Sequence, residues 1–204
     1  MLYYERKLKK KGYNFIIGVD EAGRGPLAGP VVAAAVLLKT NRFKNRIADS
    51  KKLTAQQRQR AFLEIIDKSI SGLGIINEKI VDNLNILSAT RLAMEEAVFD
   101  LLSKLKNKPK KQIYIITDGK IKLNLDYALS GIIKGDAKSK TIACASILAK
   151  VMRDRIMNIY DKVYPQYGFS QHKGYPTKLH RRMLEKFGPS EIHRLSFIGV
   201  KNGV

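Results

Sequence analysis

The sequence predicts an α/β fold around one mixed sheet, and three observations carry that prediction. Two apolar runs, Phe15–Val19 and Val31–Leu38, stand close together near the start. After them, short apolar runs alternate with longer segments of helical period, the order expected when helices cover a sheet. The 204 residues are 45% hydrophobic, enough for one compact domain with its own core and too few for two large ones.

Taken in order, Phe15–Val19 reads as a strand ending at Asp20. Val31–Leu38 is apolar throughout, which fits a strand buried on both faces. Between them Gly23-Arg24-Gly25-Pro26 and Gly29-Pro30 form a long, specialised turn. Thr54 opens a helix with Gln57 in the capping-box position, and Phe62, Ile65, Ile66 and Ile70 follow helical spacing. Gly72–Ile76 reads as a strand and Leu87–Leu105 as a helix that Pro109 prevents from continuing. Ile113–Thr117 reads as a strand delivering Asp118 at its end, and Ile132–Lys134 as a short edge strand before Gly135-Asp136. Ser139 to about Val163 is a helix, with Ile142, Ile147, Leu148, Val151, Met152 and Ile156 among its apolar positions. Thr177–Phe187 is the last helix, ended by Gly188-Pro189.

Charge narrows the function. The 38 Lys and Arg against 18 Asp and Glu give a net +20, with a pI near 10.0. A folded domain this basic suits a polyanion, since neutralising phosphates releases condensed counterions. The basic stretches Arg6–Lys11 and Lys104–Lys111 read as solvated surface. The single cysteine, Cys144, excludes an internal disulfide and a Cys-cluster zinc site, and its apolar setting predicts a buried small side chain. Met1–Lys11 has no signal-peptide core, and the longest apolar run, Val31–Leu38, is too short to span a bilayer. The expectation is a cytoplasmic protein with no membrane contact, in which nothing demands more than a monomer.

Four acids stand at the ends of expected strands or in adjoining turns: Asp20, Glu21, Asp118 and Asp136. Side chains there are aimed by a rigid scaffold, as a metal site requires. Two divalent cations ~4 Å apart can activate a water and stabilise a leaving oxygen in phosphodiester hydrolysis. Hard oxygen donors select Mg2+ or Mn2+ over zinc. Asp118-Gly119 also reads as an ordinary turn and Asp136 as a helix cap. Asp20-Glu21 is harder to explain structurally, because adjacent acids on a buried strand repel and cost desolvation unless a cation compensates.

The stretch Ile17-Gly18-Val19-Asp20-Glu21-Ala22-Gly23-Arg24-Gly25-Pro26 closely resembles the opening motif of the ribonuclease HII family. Asp49-Ser50-Lys51-Lys52-Leu53, Thr117-Asp118-Gly119 and Lys134–Ser139 running into Ala145–Val151 and Arg153-Asp154 resemble its next blocks. Tyr167-Gly168-Phe169, His172-Lys173-Gly174-Tyr175 and His193–Phe197 resemble the last ones. The blocks keep family order from residue 15 to 198; Cys144, where Ala is expected, is a departure remote from the chemistry.

The resemblance implies a ribonuclease H-like fold with flanking helices and a helical C-terminal extension. It implies a single domain over 1–204, with a catalytic core at 13–165 and a substrate-contacting segment at 166–204. It further implies a Mn2+- or Mg2+-dependent endonuclease that cuts RNA in RNA–DNA hybrids and incises duplex DNA containing ribonucleotides, leaving 3′-hydroxyl and 5′-phosphate ends. Asp20, Glu21, Asp118 and Asp136 become the metal-binding catalytic acids, with Asp20 bridging. Gly23, Arg24 and Gly25 become the readers of the 2′-hydroxyl, because glycines let backbone groups approach a ligand. Tyr175 becomes the ring stacked on a sugar lacking that hydroxyl. Lys51, Lys52 and Lys173 become phosphate contacts, with Ser139 and Lys150 as weaker ones. Asp154 follows Lys150 by four positions and reads as its surface ion partner. Three rivals remain at this stage. A non-catalytic basic nucleic-acid-binding module explains the charge but not the four acids. A ribonuclease HIII carries an extra N-terminal domain, whereas about a dozen residues precede the first strand here. A transposase or integrase of the same superfold lacks the Gly23-Arg24-Gly25 element.

Overall fold

The computed structural model describes residues 1–105 and 108–200. The end of the expected domain, at 201–204, and positions 106 and 107 of the basic stretch lie outside them. Two elements open the chain, α1 (Tyr3–Lys10) and β1 (Phe15–Ala22), followed by β2 (Val31–Leu38), α2 (Ala55–Lys68) and β3 (Ser69–Ile76). Next come α3 (Glu78–Leu84), α4 (Ile86–Ser103), β4 (Ile113–Asp118) and β5 (Ala128–Ile132). A short α5 (Gly135–Lys138) leads into α6 (Lys140–Val163), then α7 (Phe169–His172) and α8 (Lys178–Phe187).

The five strands form one sheet in the order β3-β2-β1-β4-β5. β2 pairs antiparallel with both β1 and β3, while β1, β4 and β5 run parallel. The sheet is mixed, as expected. Strand alternation sorts side chains to two faces. Ile17, Val19, Ala33 and Ala35 pack against Ala93, Ala97 and Leu101 of α4. Ala34 and Val36 face Phe62 of α2 and Ala143–Ala145 of α6. Both helices come close because glycines leave room. A Cβ on Gly74 would lie 2.0 Å from the Ala93 carbonyl oxygen of α4, and one on Gly18 2.4 Å from the Thr141 backbone of α6.

Several boundaries differ from expectation. β1 does not end at Asp20: Glu21 and Ala22 still pair with Ala33 and Val32, so both acids lie within the strand. α2 keeps its Thr54–Gln57 capping box but ends at Lys68, and Ile70 belongs to β3, paired with Leu37. The edge strand is Ala128–Ile132 rather than Ile132–Lys134, since Lys134 adopts a left-handed φ of 55° that cannot continue a ladder. The basic side chains of Arg6–Lys11 are exposed, as expected, but they ride on α1, which is anchored through buried Glu5: it accepts hydrogen bonds from the Ser139 hydroxyl (2.7 Å) and the Thr141 amide (3.0 Å) at the start of α6.

Candidate active site

Asp20 and Asp118 sit on neighbouring parallel strands, one step beyond the Val19–Thr117 pair. They share the sheet face of Ile16, Ile116 and Ile142. Asp136 follows β5 in the first turn of α5, and the Gly135 amide at that turn donates to the Asp118 carboxylate at 2.6 Å. Three aspartates thus meet at the C-terminal ends of β1, β4 and β5. Glu21, next to Asp20 along the strand, is close enough for its charge to raise the Asp20 carboxyl, and lies 3.4 Å from the Arg24 guanidinium. Among the described residues, no three Asp, Glu, His or Cys side chains close into a metal-sized cage. The acids have taken local donors instead: the Glu21 amide for Asp20, Arg24 for Glu21 and the Gly135 amide for Asp118.

The electrostatics single out Asp20. Burial, then the charges of Glu21 and Asp118, hold its carboxyl well above the usual carboxylate range, against hydrogen bonds from Ser146 and the Glu21 amide. Asp136 is also raised, by burial and by Asp118 and Asp49, with Lys51 opposing. The Asp49–Lys52 block therefore lies beside Asp136. It is pinned there by a 3.0 Å hydroxyl contact between buried Ser50 and Ser146, and it leaves Lys51 and Lys52 exposed.

The turn after β1 is held from beneath by two buried arginines. Arg194 donates to the carbonyls of Gly23, Arg24, Pro26 and Gly29 at 2.6–3.1 Å. Arg153 donates to Ala28, Pro30 and Lys173, each at 2.9 Å. Burial pushes the two guanidinium pKa values down to about 9 and about 10, which leaves both charged at neutral pH. These bonds draw the loop's carbonyls inward and fix its path over the two guanidinium groups. Gly23 requires its lack of a side chain: φ is +102°, and a Cβ would lie 2.2 Å from Arg153 Nε. Arg24 and Gly25 are exposed at the tip.

Tyr175 reaches the same place from the C-terminal segment, its ring edge 3.8 Å from where a Gly25 Cβ would stand. It is 38% exposed, and its phenol makes no hydrogen bond among the described residues. Lys150 and Arg153 stand 5.6 and 5.9 Å from its ring centre. The Lys150–Asp154 pair (2.8 Å) is therefore not a plain surface contact; both side chains are only 19% exposed, and Lys150 packs toward the ring. The Lys173 ammonium donates to Asn158 and the Ser170 carbonyl, each at 2.5 Å, which leaves one of its three N–H donors for a phosphate. One expectation changes. Ser139 is fully buried as the cap of α6, accepting from the Ile142 amide.

Arg153, Arg194 and the histidines beneath Tyr175 were given no role by the sequence. A faint signal was present for Arg153. Ala145, Ala149, Arg153 and Met157 step at i+4 along one buried stripe of α6, where a cation demands acceptors.

A mixed sheet with aspartates converging at its parallel strand ends, beside an arginine-braced turn, defines a nuclease of the ribonuclease H-like class. The chain belongs to the ribonuclease HII family, whose model matches residues 17–200. It is 50% identical to the ribonuclease HII of Acetivibrio thermocellus over 198 residues, covering 97% of this chain and 75% of that one. The crystal structure of ribonuclease H2 from Pyrococcus horikoshii OT3 superposes with a TM-score of 0.73 at 27% identity, covering 93% of this chain and 96% of that one. Bst-RNase HIII, solved in complex with Mn2+, shares the fold with a TM-score of 0.71 at 17% identity, covering 96% of this chain and 71% of that one. The activity is that of a ribonuclease H, and the binding-module reading falls away.

Proposed function

We propose that the chain cuts the RNA strand of RNA–DNA hybrids and incises duplex DNA at embedded ribonucleotides, using Mg2+ or Mn2+ held by Asp20, Glu21, Asp118 and Asp136. The observation that carries this reading is the convergence of Asp20, Asp118 and Asp136 at one end of the sheet, with the Gly23–Gly25 turn following β1 and Tyr175 against that turn. The donor set fits a hard divalent cation. It is all oxygen, and Asp20 is buried among like charges with no protein cation bonded to it among the described residues. Such an ion supplies the charge that makes a water nucleophilic and offsets the charge growing on the leaving 3′-oxygen.

The remaining work falls to the chain itself. The Gly23–Gly25 turn, rigid on its arginine floor, presents backbone groups to the 2′-hydroxyl of the ribose at the cleaved bond. Tyr175 stacks on the next sugar, where a 2′-hydroxyl would crowd the ring. Together they favour a ribose-to-deoxyribose junction. Lys51 and Lys52 neutralise flanking phosphates without reading sequence. Lys173 acts through its backbone, whose carbonyl anchors Arg153. All these parts lie in one chain, so a monomer suffices. Among the described residues no helix is long and apolar enough to cross a membrane, and the one cysteine is buried, both in keeping with work in the cytoplasm.

The test is a duplex carrying one ribonucleotide, incubated with Mg2+, with Mn2+ and with chelator. Incision at the ribonucleotide, leaving 3′-hydroxyl and 5′-phosphate ends with either metal and none with chelator, is expected. Full activity in an Asp20→Asn variant would remove the metal assignment.

A further inference from the structure

The three histidines of the chain lie together beneath Tyr175 and belong to none of the roles above. His180 and His193 are 0% and 2% exposed and His172 is 7% exposed. The His172 and His180 rings stack with centres 4.4 Å apart, and Phe169 closes the group edge-on, 5.5 Å from the His180 ring centre.

Their hydrogen bonds fix every ring proton. The Ser190 amide can only donate, and it donates to His193 Nδ1 at 2.9 Å. The His193 proton is therefore on Nε2. That nitrogen faces His180 Nε2 at 2.9 Å, so His180 Nε2 is bare and accepts. The His180 proton is then on Nδ1, which donates to the Tyr175 carbonyl at 3.0 Å. His172 follows the same logic: the Gly174 amide donates to its Nδ1 (3.1 Å), leaving Nε2–H to donate to the Tyr167 carbonyl (2.9 Å). Its own carbonyl receives the Tyr175 amide at 2.9 Å. Both backbone groups of Tyr175 are thus gripped by this cluster. One orientation of three neutral rings satisfies all the partners, and a proton on the wrong nitrogen sets two donors face to face.

We propose that Ser190, His193 and His180 form a directed hydrogen-bond relay that sets the position of Tyr175 against the substrate, making His180 a positioning residue for junction selectivity. The inference rests on the reading of Tyr175 given above and adds what holds it. The relay spans the turn after α8, α8 itself and the loop after α7, so the ring that meets the second sugar is registered to the folded C-terminal segment. Burial keeps all three rings neutral, with His180 near 4 and His193 near 3.

Two measurements on the whole protein test this. Nitrogen-15 NMR at pH 7 should show protons on His180 Nδ1, His193 Nε2 and His172 Nε2. A His180 protonated on Nε2, or on both nitrogens, overturns the relay without any variant. The second measurement is the ratio of kcat/KM on a single-ribonucleotide duplex to that on a continuous hybrid. His180→Leu should lower it about tenfold, the value of one hydrogen bond of about 1.4 kcal/mol. His180→Asn places an amide N–H where Nδ1–H stood and should restore much of the ratio. If Tyr175→Ala collapses the ratio and a folded His180→Leu leaves it intact, the positioning role is wrong. If Tyr175→Ala itself leaves the ratio unchanged, the reading of Tyr175 fails, and the tautomers alone decide whether the relay exists. Should His180→Leu not fold, the NMR result on the parent still stands as the test.

Discussion

Arg194 and Gly23, 171 residues apart, meet through a 2.6 Å hydrogen bond from the guanidinium to the carbonyl oxygen. Four other bonds from the same fully buried side chain go to Arg24, Pro26 and Gly29. Lysine carries its donors on one nitrogen and cannot span this set of acceptors. Arg194→Lys should therefore lose about 2–4 kcal/mol of stability, read as a lower urea midpoint, because buried carbonyls are left unpaired. Cleavage should fall with it, since the turn loses its floor.

Asp20 links activity to instability. Its carboxyl titrates well above the usual range in the folded chain because of burial and the nearby Glu21 and Asp118 charges. As pH rises past about 3.9 the unfolded chain releases its proton first, and folding loses free energy until the folded carboxyl also ionises. At higher pH that penalty stays constant. Asp20→Asn should thus melt a few degrees above the parent at pH 7 in chelator while being inactive. Adding Mn2+ should raise the melting temperature of the parent and leave the variant nearly unmoved. A variant less stable than the parent in chelator would refute this account.

The histidine cluster predicts an acid limit. Burial holds His180 near 4 and His193 near 3, below the 6.5 of a free imidazole. As pH falls below 6.5 the unfolded chain takes up protons that the folded rings refuse. Stability is present above 6.5 and lost toward pH 4, by up to roughly 1.4 kcal/mol per pH unit for each histidine. Urea midpoints recorded from pH 7 to pH 4.5 should decline through this window, and a flat profile would contradict the neutral, buried cluster.

Gly74 isolates packing from chemistry. A Cβ there would lie 2.0 Å from the Ala93 carbonyl, on rigid helix backbone that has nowhere to move. Gly74→Ala should cost about 1–3 kcal/mol. Its urea midpoint should drop, whereas kcat on a hybrid substrate, measured well below the melting temperature, should stay close to that of the parent.

Much of this was legible in the sequence where local chemistry decides the outcome. Val31–Leu38 is apolar at every position, which fits a strand buried on both faces, and the Thr54–Gln57 capping box is a purely local device. Asp20-Glu21 stood out as adjacent acids on a buried strand, whereas Asp118 and Asp136 read as a turn and a cap until the family resemblance assigned them; the structure brings Asp20, Asp118 and Asp136 to one end of the sheet. What stayed hidden depends on distant partners. Ala128–Ile132 is a strand because β4 offers it a ladder, not because its residues favour one. Arg153 and Arg194 bind carbonyl oxygens, which every residue carries, so nothing in the sequence betrays Arg194, and only its place on the buried stripe of α6 hints at Arg153. The bonds of the Lys173 ammonium to Asn158 and the Ser170 carbonyl likewise depend on residues 15 and 3 positions away that no local pattern links to it.

The span from Gly23 to Arg194 also orders events during synthesis. At roughly 5–20 residues per second, Arg194 is joined on the order of 10–30 s after Gly23. Through that interval the turn after β1 has its glycines but no guanidinium to draw its carbonyls inward. The turn beside Asp20 and Glu21 therefore takes its final shape only after the C-terminal segment has been made, although both acids are among the first residues joined.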